Sequence, residues 1–184
     1  MAFVVELYFD AVAEDSVRRI WKMIADAGIS SSMLDGAFRP HVSLGVSNQL
    51  NLNEACSAMA SFAASVSPFT LTFSNIGVFP TTEGVVFLGA TVTQQLLNLH
   101  AEFHHVFQKF ANDQWDYYRI GKWVPHCTLA FGLPANKIAD TVAVCQQAAL
   151  PIQAQVEEIE VVEIFPASFK TLCLYRLGHR TDDG

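Results

Sequence analysis

Pro40-His41-Val42-Ser43-Leu44-Gly45 and Pro125-His126-Cys127-Thr128-Leu129-Ala130 are near-copies of one hexapeptide, Pro-His-x-(Ser/Thr)-Leu-small, set 85 positions apart. In an extended strand successive side chains point to opposite faces. His41 and Ser43 therefore share one face, as do His126 and Thr128, while Val42, Leu44, Cys127 and Leu129 turn the other way into a core. A given histidine meets the full pattern by accident only about once in a thousand, so two chance copies in one short chain are improbable. Two such strands facing each other would set two proton-transfer groups and two neutral hydroxyl donors around one small anion. That inventory suits phosphoester chemistry without a metal. Neither Pro40 nor Pro125 has an N–H to give a ladder, which places the start of each motif strand at a rim.

Outward from the motifs the chain alternates strand and helix. Residues 3–10 alternate as a strand, and Val17, Ile20, Trp21, Ile24 and Ala25 predict a helix over 13–28. A loop over 30–36 leads into the first motif strand at 39–47, followed by a helix over 52–66. Strands at 69–78 and 85–90 flank the turn Pro80-Thr81-Thr82-Glu83-Gly84 as a hairpin. A long helix over 92–112, a polar segment over 113–122 and the second motif strand at 124–131 come next. A helix over 135–149 and two strands at 153–164 and 169–177, joined through Pro166-Ala167-Ser168, complete the order β-α-β-α-β-β-α-β-α-β-β. The unit strand, helix, motif strand, helix, then two strands occurs twice, if the 85–90 strand opens the second copy. We therefore expect an α+β fold: a bilobal pseudo-twofold duplication with two mixed or antiparallel sheets and helices on the outside. Residues 1–184 make a single two-lobed domain, with 178–184 as a flexible tail.

Composition narrows the partners. About half the residues (51%) are apolar, yet no apolar run approaches the ~20 residues a membrane helix needs. The first ten residues carry no basic segment and read as a strand rather than a signal peptide. The formal charge is −7, and the 11 Lys and Arg are scattered, so no stripe serves a long nucleic acid duplex. A small phosphorylated ligand or an RNA end fits better than a duplex or a membrane. Cys56, Cys127, Cys145 and Cys173 show no CxxC spacing and read as reduced core residues of a cytoplasmic protein.

The paired motifs, their separation and the strand-helix order resemble the two-histidine (2H) phosphoesterase superfamily, in its 2′-5′ RNA ligase-like and cyclic nucleotide phosphodiesterase branch. The resemblance covers most of the chain and draws its specificity from the two motifs. It implies a bilobal α+β protein with a central cleft, each lobe donating one motif. It also implies action on 2′,3′-cyclic phosphates, 2′-5′ linkages or related esters without a metal or other cofactor. By position, His41 and His126 would be the catalytic acid–base pair, and Ser43 and Thr128 the phosphate-binding hydroxyls. One departure stands out. The bacterial RNA ligase-like branch often carries an Arg two residues after the second motif's Leu, where this chain has Phe131, with Val46 at the matching first-motif position. A cationic phosphate contact must then come from elsewhere, with Lys122 and Arg39 as candidates.

The expected function is a metal-independent phosphodiesterase, acting as a cytoplasmic monomer on a small nucleotide or an RNA-terminal phosphate. The alternatives are 2′-5′ RNA ligation or RNA-end processing, or a nucleotide-binding module without turnover. Opening a cyclic phosphate needs a base for the attacking water, an acid for the departing ribose oxygen, and donors for the non-bridging oxygens. Either histidine can take either role. For stacking a base, Trp123, Tyr118, Phe79 and Phe9 are the aromatic candidates, Trp123 foremost because it precedes the second motif. His100 and His104 lie at zinc-binding spacing, but without a Glu directly after the first His they read as a solvated helix face. Glu157, Glu158, Glu160 and Glu163 read as the wet face of a strand.

Overall fold

The computed structural model describes residues 2–165 and 168–178. Of the expected tail only Gly178 falls among them, and Pro166-Ala167 also lies outside. Strand β1 (Ala2–Phe9) leads to α1 (Ala11–Asp26), whose N-cap Asp10 accepts from the Val12 and Ala13 amides. The short helix α2 (Ser32–Asp35) sits in the expected loop, ahead of the motif strand β2 (His41–Leu50). Helix α3 (Leu52–Ser65) and the hairpin β3 (Phe69–Phe79) and β4 (Val85–Ala90) follow.

The second half departs most from expectation. Helix α4 (Gln94–Phe107), capped by the Thr93 hydroxyl, stops short of residue 112. The chain then forms an edge strand, β5 (Ala111–Gln114), paired with β2, and a 3₁₀ turn at Asp116–Tyr118. The second motif strand β6 (His126–Ala130), α5 (Ala135–Cys145), the long β7 (Ile152–Phe165) and β8 (Ser168–Arg176) complete the chain.

All pairings are antiparallel, and the strands of both halves join into one eight-stranded sheet of order β5-β2-β1-β7-β3-β4-β6, with β8 also on β7. The inner order β2-β1-β7-β3-β4-β6 is a palindrome if β1 matches β4, β2 matches β6 and β7 matches β3. That is the duplication seen in the sequence, and it places the motif strands at equivalent positions of the two halves. The α+β class is as expected. Helices α1, α3, α4 and α5 cover one face, where Leu7, Phe9, Trp21, Leu44, Phe73, Phe103, Leu129 and Ile159 form the main core. Gly45 is required by this packing: a Cβ there would sit 2.9 Å from ring carbons of Phe103 and Phe107.

Three expectations are corrected. Cys56 on α3 and Cys173 on β8 form a disulfide, their Cα atoms 5.9 Å apart, because the fold sets that helix against that strand. Reduced cysteines therefore no longer argue for a cytoplasmic setting; Cys127 and Cys145 remain free and buried. His100 and His104 are buried rather than solvated, since they face β2. Among the strand glutamates, Glu160 is 4% exposed: β7 is paired on both edges there, and the carboxylate lies opposite Glu6 and beside the Tyr8 hydroxyl. No helix among the described residues is long and apolar enough to cross a membrane.

Candidate active site

Each motif strand carries a β-bulge at its leucine. Glu6 pairs with Ser43 and Val5 with Gly45, leaving Leu44 as the extra residue. Phe87 likewise pairs with Thr128 and Val86 with Ala130, leaving Leu129 as the extra residue. A bulge shifts the alternation by one. Beyond each leucine it is therefore Val46 and Phe131 that face the same side as His41, Ser43, His126 and Thr128.

These residues line one cleft of about 270 Å³. His41, Ser43, His126 and Thr128 all border it, so the fold brings the two motifs together. The histidine Nδ1 atoms are tied in matching ways: His41 Nδ1 lies 2.8 Å from the Arg39 carbonyl, and His126 Nδ1 lies 2.7 Å from the Val124 carbonyl. A carbonyl only accepts, so Nδ1 carries the proton and Nε2 is the nitrogen of each ring that this bond leaves unused. The hydroxyl-bearing residues are fixed from behind by indoles. Trp21 Nε1 donates to the Thr128 carbonyl and Trp123 Nε1 to the Ser43 carbonyl, both at 3.0 Å.

Electrostatically the two rings differ. His126 packs edge-on to Phe79 with centroids 4.9 Å apart, and against Phe87 at 5.2 Å. Burial holds it below the ordinary histidine range, with neighbouring His41 adding to the effect. His41 instead has Glu6 Oε1 3.4 Å from its Nε2 and the edge of Tyr8 beside it. The Tyr118 hydroxyl lies beside Ser43, and burial together with Glu6 pushes that phenol up to about 12, so it remains a neutral donor at physiological pH.

The remaining candidates fall in different places. Tyr118 borders the cleft. Phe79 touches the outer side of His126 without lining the cleft. Phe9 is core, 3% exposed and edge-on to Phe73. Trp123 is not among the residues lining the cleft, and one face of its ring lies flat on His100 with centroids 4.0 Å apart. Arg39 bonds Glu14 at 2.6 Å and Glu158 at 3.0 Å and lies over the Tyr8 ring, so its guanidinium serves as a clamp between elements. Lys122 pairs with Asp116 on the exposed 3₁₀ turn.

Sequence reasoning overlooked Glu6, Met33, Phe38 and Trp115, which also line the cleft. Glu6 had a signal, being the single charge inside the apolar run Phe3–Phe9. Trp115 had none: its orientation depends on an indole N–H bond to Asn48, 67 residues away. Among the described residues, no three or more His, Cys, Asp or Glu side chains converge as a metal-ligand set.

The match that decides the family covers residues 40–164, where the chain fits the 2′-5′ RNA ligase superfamily model. The chain belongs to the 2′-5′ RNA ligase superfamily. Solved structures with the superfamily fold include TT0787 of Thermus thermophilus, with a TM-score of 0.66 at 15% identity, covering 97% of this chain and 98% of that one. E. coli LigT complexed with 3′-AMP gives 0.63 at 14% identity, covering 96% and 97%. Kluyveromyces marxianus Usb1 gives 0.54 at 14% identity, covering 93% and 97%. At such identities the likeness is one of fold. No curated protein sequence matches the chain. The resemblance carried by the two motifs is borne out at the level of the superfamily.

Proposed function

We propose that the protein is a metal-independent phosphodiesterase that opens a 2′,3′-cyclic phosphate, on a nucleotide or an RNA terminus, or cleaves a 2′-5′ diester. His41 and His126 serve as its acid–base pair, and Ser43 and Thr128 hold the phosphoryl oxygens. The observation that carries this reading is the pair of imidazoles bordering one cleft, each with Nδ1 on a backbone carbonyl and Nε2 left for proton transfer. The hydroxyls donate hydrogen bonds that strengthen as charge builds on phosphorus-bound oxygens, and Tyr118 beside Ser43 adds a third neutral donor. Apolar side chains of Met33, Phe38 and Phe131 offer a wall for a base.

E. coli LigT has been crystallised with 3′-AMP, ATP, NADP+ and phosphate, which supports a small nucleotide as ligand. One copy of the chain supplies both motifs and so suffices for a site. The test is a panel of 2′,3′-cyclic nucleotides and 2′-5′ dinucleotides assayed after EDTA treatment. Turnover should survive EDTA and fall about 10²–10⁴-fold in His41→Ala or His126→Ala. Saturable nucleotide binding without product would leave a binding module, and joined RNA ends without hydrolysis would favour the ligase.

A further inference from the structure

The internal symmetry breaks at the residues next to the two histidines. Glu6 on β1 and Phe87 on β4 occupy equivalent places, opposite Ser43 and Thr128. One motif therefore faces a carboxylate where the other faces a phenyl ring. Glu6 is only 4% exposed, and its orientation is fixed: Oε2 accepts the Tyr8 hydroxyl at 2.6 Å, which turns Oε1 towards His41.

We propose that Glu6 is a positioning residue that divides the labour between the two rings, holding the second proton on His41 as general acid and leaving His126 neutral as general base. This rests on the phosphodiesterase reading above. An opposite charge within ~4–6 Å favours an imidazolium, and more so where water is largely excluded. At 3.4 Å Glu6 Oε1 stands off His41 Nε2 instead of closing a tight hydrogen bond, so that nitrogen stays available to a leaving oxygen. His126 meets the rings of Phe79 and Phe87 and the Val124 carbonyl at Nδ1, and its burial, with neighbouring His41 adding to it, opposes charging.

The other groups around His41 reinforce the bias. Glu160 is the cross-strand partner of Glu6, so a second buried carboxylate lies on the same side. Tyr8 is raised by burial and by both glutamates, and Tyr118 by burial and Glu6, so both stay neutral donors. Cys127 from β6, at the His41 backbone, is likewise raised by burial and stays a thiol. The guanidinium of Arg39 is taken up by Glu14 and Glu158.

In the resulting step a water oxygen bonds to phosphorus as its proton passes to His126 Nε2. The bond from phosphorus to the ribose 2′ or 3′ oxygen breaks, and that oxygen takes the proton from His41 Nε2. A monoester leaves, and solvent exchange restores both rings. An unneutralised Glu6 would repel the anionic substrate, so binding and the acid's protonation are linked.

The test is ¹⁵N NMR of the histidine rings in the ligand-free protein near neutral pH, paired with the pH dependence of kcat/KM on a 2′,3′-cyclic nucleotide. In the wild type His41 should show the charged-ring pattern and His126 the neutral Nδ1–H pattern. Glu6→Gln should convert His41 to the neutral pattern and move the alkaline limb of the profile down by about one pH unit or more, with Glu6→Asp recovering part of the shift. A wild-type spectrum with His126 charged and His41 neutral overturns the proposal without any variant, as does an unchanged alkaline limb in folded Glu6→Gln. Absence of turnover in the wild type would count against the phosphodiesterase reading alone, because the ring spectra are read without substrate.

Discussion

Each motif imidazole owes its usable nitrogen to a backbone carbonyl two residues upstream, so the tautomer is set by the strand itself. In the proposed reaction the hydroxyls of Ser43 and Thr128 are donors that a near-isosteric change removes. Thr128→Val keeps shape and removes the donor, and Ser43→Ala does the same nearly isosterically. Each should lower kcat about 10²-fold while changing KM much less, as steady-state kinetics on a cyclic nucleotide would show. At this scale the four motif residues were legible because period-two alternation fixes which side chains share a face. The fate of Arg39 was not legible. Its partners Glu14 and Glu158 come from α1 and β7, and no local pattern signals that the guanidinium turns to them.

Among the elements, the motif strands act as a matched pair, each bulged at a buried leucine and each pinned by an indole from elsewhere. Trp21 reaches Thr128 across 107 positions, and Trp123 reaches Ser43 across 80. Replacing either tryptophan by Phe leaves a carbonyl without its partner, which should cost about 1–3 kcal/mol in urea denaturation. Activity should fall as well, since the bond lies directly behind the hydroxyl. Trp123 was read as a base platform from its place before the second motif. The tertiary fold instead sets His100 flat against its ring, a stacking that joins α4 to the segment before β6 and has no sequence signature. The bulges, too, were beyond the pattern, because alternation alone turns Gly45 and Ala130 rather than Val46 and Phe131 to the cleft side.

For the whole molecule, two buried features tie the halves together and set its response to solution conditions. His100 Nε2 lies 3.2 Å from the Leu44 carbonyl and 3.1 Å from His104 Nε2. Burial, with His104 adding to it, lowers His100 to about 4, and burial lowers His104 as well. An unfolded histidine titrates near ~6.5, so the unfolded chain binds more protons below that value. Stability is therefore full above ~6.5 and falls as the pH drops towards 4. Denaturant titrations at pH 7.5 and 5 should differ by on the order of 2 kcal/mol, and His100→Gln should reduce the difference. The second feature is the Cys56–Cys173 bond, which closes a loop of 117 residues between α3 and β8. Alkylation of the denatured, unreduced chain should modify Cys127 and Cys145 alone, and reduction should lower the melting temperature.

The sequence by itself determined the α+β class, the duplication, the order of the main elements and the shared face of the four motif residues, because each is written in short-range periodicity and in one repeated hexapeptide; the short helix α2 and the edge strand β5 were not written there. Only the tertiary structure decided that Glu6 faces one histidine and Phe87 the other, that Val46 and Phe131 turn into the cleft, and that Cys56 meets Cys173. Those outcomes depend on strand register, on bulges and on helix-to-strand packing between residues far apart in the chain, where local alternation carries no information about which partner is met.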